Sequence, residues 1–167
     1  MSHAGTVNQL DKFNRLKATK SNAQMVADGD FTKEQILAIN GINNLFNEYS
    51  KAYPDQEKLA RYITLNNKRR DFTQVITAEE MQFLKDNKQD LYPLTSVKEF
   101  IAAGLTSETY INKLKQGGFW SKFIEYIGNL LGVNKTDLDA LYNSTISLLD
   151  TNATNNVTPE SKDIRNY

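Results

Sequence analysis

Between Thr32 and Pro54 the chain places Ile36, Ile39, Ile42, Leu45, Phe46, Tyr49 and Tyr53 three or four residues apart, with polar side chains between them. That is the 3.6-residue period of an amphipathic helix with one long apolar stripe. Its ends are marked as well. Thr32 followed by Gln35 has the form of a capping box, and Pro54 pushes Tyr53 out of the α region. A stripe of this length must be covered by other elements, and the rest of the chain offers mostly helices to cover it.

Upstream, Val7, Leu10, Phe13 and Leu16 recur at helical spacing, which predicts a first helix over 6–27 after a flexible start at 1–5. Downstream, Asp55 can cap a segment holding Leu59, Tyr62 and Ile63, and the polar run Asn66 to Arg70 reads as the loop that ends it. Phe72 to Ile76 is β-branched and aromatic, but no second run of that kind exists to pair with it, so it reads as an extended linker. Thr77 with Glu80 is a second capping box and predicts a short helix to about Asn87, presenting Met81 and Leu84.

Pro93 divides this half from a group of short helices. Ser96 with Glu99 starts the first, which carries Val97, Phe100 and Ile101 and is expected to end at a left-handed Gly104. Thr106 or Ser107 caps the next, lined by Tyr110, Ile111 and Leu114 and closed by Gly117-Gly118. Phe119 to Leu131 is the most apolar helix, with Trp120, Phe123, Ile124, Ile127, Leu130 and Leu131 on one broad face and Gly132 at its end. A last helix is expected from Thr136 to Asp150, followed by a polar tail over 151–167. The expected fold is therefore all-α. Two long N-terminal helices lie in a helical region over 6–90, and a compact C-terminal bundle over 94–150 looks like an independent core.

Composition removes several function classes. The chain has 167 residues, no cysteine and one histidine, His3. Thiolate chemistry, disulfides, cysteine–zinc sites and a serine–histidine triad on the folded body are thereby excluded. Twenty basic and twenty acidic side chains cancel, so the whole-molecule attraction that drives non-specific nucleic-acid binding is missing. There is no secretion-signal pattern at the N-terminus, which predicts a cytoplasmic or virus-particle location, and no apolar run long enough to span a membrane. The chain holds 18 asparagines, and the sequons at Asn134, Asn143, Asn152 and Asn156 follow from that richness rather than from glycosylation. No phosphate loop, nucleophile elbow or metal-ligand spacing is present, so no cofactor, metal, catalytic residue or small-molecule ligand is expected.

Four motifs remain. Asp28-Gly29-Asp30 has the core of a calcium loop, but aligned on Gly29 the flanking ligand positions fall on Gln24, Val26 and Gln35, which lack the required charge. A turn before a helix cap is the expectation there. Phe119–Leu131 has the aromatic face of a membrane-surface helix, yet its polar face offers Lys122 against Glu125 where such helices concentrate cations, so a core helix is expected. Lys68, Arg69 and Arg70 form the densest basic cluster and are the candidate residues for an anionic partner.

Residues 96–117 can also be read as a helix-turn-helix. Ser107, Thr109, Asn112, Lys113 and Lys115 are then the candidate DNA-contacting residues. The bulky Phe100, a turn of unusual length, and Glu99 and Glu108 count against it. With no catalytic constellation, the function the sequence favours is a non-enzymatic structural or adaptor subunit of a larger assembly, such as a virus particle or a secretion machine. It would work through protein partners or self-association, and the alternative is DNA binding through 96–117.

Overall fold

The structure is a computed structural model that describes residues 3–133 and 136–138. The described residues form eight α-helices and one 3₁₀ turn, with no strand. In chain order these are α1 (His3–Lys17), α2 (Asn22–Ala27), α3 (Lys33–Ala52), α4 (Gln56–Arg70), α5 (Ala78–Leu91), the 3₁₀ turn Tyr92–Leu94, α6 (Val97–Thr106), α7 (Glu108–Gln116) and α8 (Trp120–Leu131). The all-helical reading holds.

The arrangement of two long N-terminal helices does not: α3 is one 20-residue helix, but the segment before it is divided. The segment expected as one helix over 6–27 starts earlier, at His3, and breaks at 18–21 into α1 and the six-residue α2. Ser21 causes the restart, because its hydroxyl accepts from the Gln24 N–H and competes with helix continuation. The Asp28-Gly29-Asp30 turn that follows holds a cation of its own. Lys20 Nζ lies 2.9 Å from Asp28 and 2.8 Å from Asp30. Hydrogen bonds donated to Asp30 and Asp28 raise the Lys20 pKa, while Lys20 and then Gln24 lower that of Asp28. Lys12 ties α1 to the same turn by donating to the Asp30 carbonyl at 2.8 Å.

The Thr32 and Thr77 capping boxes both form, and Pro54 follows the end of α3. The polar run 66–70 is a correction: it is the last turn of α4, not a loop. Leu65 and Asn66 are buried there, so contacts across the fold hold a segment whose composition alone suggested a break. α5 likewise runs four residues past the expected Asn87, because Leu91 is fully buried. Gly104 is another correction. It lies inside α6, which continues to Thr106, and the φ-positive C-cap is found at Gly132, with φ 74°, at the end of α8.

Packing crosses the sequence division at Pro93. A cluster of 22 buried residues joins Leu10 and Phe13 of α1, Ile36, Ile39, Ile42 and Leu45 of α3, and Phe100, Leu114, Phe123, Ile124 and Ile127 of α6–α8. The α3 stripe is thus covered by helices from the far end of the chain, and the described buried residues of α6–α8 share one cluster with it. A smaller cluster of six, Leu59, Tyr62, Leu65, Leu84, Leu91 and Leu94, holds α4, α5 and the 3₁₀ turn together. Tyr49 packs against both clusters. Trp120 is buried and stacks on Phe123, as expected of a core helix. Thr136–Leu138 are helical and Leu138 is buried against the large cluster; the rest of the expected last helix and the tail 151–167 lie outside the described residues.

Candidate functional site

The α4–α5 hairpin carries the features that its own folding does not use. At its tip, residues 71–77 connect the helices, and Asp71 orders the connection. Its carboxylate accepts from the Thr73 N–H at 3.0 Å, the Thr73 hydroxyl at 2.7 Å and Gln74 Nε2 at 2.8 Å. The Thr73 hydroxyl, then Gln74, then the Thr73 N–H hold its pKa below the ordinary aspartate value. This Asx-type turn turns Phe72 and Val75 outward. Phe72 is 100% exposed and Val75 83%.

The predicted basic cluster splits at this tip. Lys68 is engaged within the hairpin, its Nζ 3.0 Å from Glu80 Oε1. The Thr77 N–H, and after it Lys68, hold the Glu80 pKa low. Arg69 donates from Nη2 to Asn66 Oδ1 at 3.2 Å, and Arg70 is exposed. Arg70 is therefore the exposed cation next to the tip, Arg69 is held toward Asn66, and Lys68 closes the α4–α5 end.

Along the hairpin a recess of about 260 Å³ is lined by Tyr62, Asn66, Arg69, Met81, Leu84, Lys85, Lys88 and Tyr92. Burial pushes the Tyr62 phenol up to about 12, against the opposing charge of Arg69. Tyr92 is raised first by burial and then by the charge of Glu99, while Arg69 and Arg70 oppose the shift. Both phenols remain protonated donors at neutral pH. Lys85 and Lys88 were not singled out in the sequence. Their spacing of three on one helix was the available signal, and they gain meaning only because α4 brings Arg69 alongside.

The residues of the helix-turn-helix reading are distributed differently. A single residue, Ser107, separates α6 from α7, and it is buried as the cap of α7, with its hydroxyl accepting from the Tyr110 N–H. Lys113 pairs with Asp90 at the end of α5. Thr109, Asn112 and Lys115 are exposed, and Lys115 Nζ stands 5.4 Å from the centre of the Trp120 ring. Tyr49, Tyr53, Asp90, Leu94, Tyr110 and Lys113 surround a second recess of about 210 Å³ where the two clusters meet.

Val26 and Leu37 are exposed in an apolar groove between α2 and α3. Among the described residues no group of three or more His, Asp or Glu could hold a metal ion, and no helix is long and apolar enough to cross a membrane. No protein-family model, curated protein or solved structure matches this chain.

Proposed function

We propose that the chain is a non-enzymatic structural or adaptor subunit of a larger macromolecular assembly, of the kind found in virus particles and secretion machines, and that it docks onto a protein partner through the tip of the α4–α5 hairpin. The observation that carries this reading is Phe72, wholly exposed with Val75 on a turn that Asp71 holds in shape. Burying a phenylalanine or valine side chain contributes about 1.5–3 kcal/mol, which this fold forgoes at both positions. An ordered turn that keeps two apolar side chains in water is suited to insertion into a partner's pocket, since little conformational entropy is lost on docking. The exposed Arg70, two residues before Phe72, favours a pocket with an acidic rim.

The helix-turn-helix alternative rests on the exposed Thr109, Asn112 and Lys115. It is the weaker reading, because Ser107 is occupied as a cap and Lys113 is held by Asp90. Light scattering of the purified chain over a range of concentration, with and without short duplex DNA at low salt, separates the two. Self-association that disappears in Phe72→Ser supports docking through the tip. Mass gained with DNA and lost in a Lys113→Ala, Lys115→Ala double variant would replace this reading with the DNA-binding one. A chain that stays monomeric and whose co-purifying partners are retained in full by Phe72→Ser would overturn the assignment of the tip.

A further inference from the structure

The recess along the hairpin has a chemistry distinct from that of the tip. Its lining includes three cations, Arg69, Lys85 and Lys88, and no carboxylate. Neither Arg69 nor Lys85 has a carboxylate partner among the described residues. Three cationic side chains around one hollow give it a positive field that attracts an anion. The site is also partly built from within. Asn66 is 3% exposed and lines the recess, and its Oδ1 holds one edge of the Arg69 guanidinium. A guanidinium fixed on one edge still presents N–H donors on the other, in the fork geometry that suits oxyanions. The protonated Tyr62 phenol adds a further donor, while Met81 and Leu84 supply apolar surface.

We propose that this recess binds a small organic phosphate monoester, its phosphate oxygens met by Arg69, Lys85 and Lys88 and its organic body resting against Tyr62, Met81 and Leu84. A carboxylate would occupy one bidentate guanidinium; a phosphate dianion has the charge and the number of oxygens to engage several cations at once. The recess lies on the side of the hairpin, so this binding is independent of docking through Phe72.

Titration of the full chain with phenyl phosphate, inorganic phosphate and phenol, followed by amide NMR shifts at low salt, tests the assignment. Phenyl phosphate is expected to give saturable shifts at Asn66, Lys85 and Tyr92, to bind more tightly than inorganic phosphate, and to leave phenol without a saturable effect. Arg69→Gln is expected to weaken phenyl phosphate binding about tenfold, the loss typical of one charge-assisted hydrogen bond. Lys85→Gln, which breaks no ion pair among the described residues, is expected to do so by a few-fold, and Phe72→Ser to leave it unchanged. Linear, non-saturating shifts would overturn the proposal, as would affinity unaltered in the Arg69→Gln, Lys85→Gln double variant. Inorganic phosphate binding as tightly as the ester would overturn the role given to the apolar floor.

Discussion

The ring of Phe123 fills the space that a side chain on Gly104 would need: a Cβ placed on Gly104 would lie 2.3 Å from Phe123 Cζ. Gly104 therefore serves the close approach of α6 to α8 rather than the end of a helix. Phe123 is fully buried and packs edge-on to Phe100, with ring centres 5.5 Å apart, and stacks on Trp120, so it has no room to turn aside.

Gly104→Ala should accordingly destabilise the fold although alanine is the better helix former. Overpacking costs about 1–3 kcal/mol against a helix-propensity gain of up to about 1 kcal/mol. Gly41 makes the informative control. A Cβ there would meet the Tyr126 ring at 2.3 Å, but that ring is half-buried and can swing outward. Thermal unfolding should show a clear fall in Tm for Gly104→Ala and a smaller change, or none, for Gly41→Ala.

Trp120→Ala removes a side chain that is 7% exposed and lies flat against Phe123. A loss of roughly 3–5 kcal/mol is expected for an aromatic anchor of this kind. Urea denaturation should show it as a lower midpoint with an unchanged slope. A cost below about 1 kcal/mol would mean that Trp120 does not anchor the large cluster.

Alkaline conditions should destabilise the protein through Tyr62. Its folded pKa is raised to about 12 by burial, above the value near 10 of an exposed phenol. The folded state therefore holds the proton more tightly than the unfolded chain. The stability this contributes is complete below about pH 10 and is lost as the pH rises toward 12, on the order of 2 kcal/mol in all. Tyr62→Phe should flatten that part of the stability curve. Burial raises Tyr49 and Tyr92 too, so a residual slope should persist in the variant.

The two clusters should differ in local stability. Among the described residues the large one holds 22 buried side chains and the hairpin cluster six, and smaller buried units open at lower free energy. Amide exchange in α4 and α5 should therefore proceed through a sub-global opening while the middle of α3 and of α8 is protected up to global unfolding. Equal protection in both would show that Tyr49, which touches both clusters, couples them into one unit.

Most of the local structure was legible in the residues. The Thr32 and Thr77 boxes, Pro54, the Ser96 cap, a cap at Thr106 or Ser107 and the apolar faces of α3, α7 and α8 are short-range signals, satisfied by hydrogen bonds and periodicities within a few residues. The basic cluster at 68–70 stands out in the sequence and Phe72 reads only as part of an extended linker, but their exposure could not be read, because no spacing rule says whether a neighbouring element covers a loop.

The sequence by itself determined an all-helical chain, the capped helix starts at Thr32, Asp55, Thr77 and Ser96 and the absence of thiol chemistry, since these depend on residue type and local geometry. Tertiary structure alone decided that 66–70 remains helical, that Gly104 is a contact, and that α3 is covered by α6 and α8 from the other half of the chain. It also decided that Arg69 stands beside Lys85 and Lys88. Each of these depends on which distant side chains share a buried surface, and burial contributes more free energy than the local preferences it overrides.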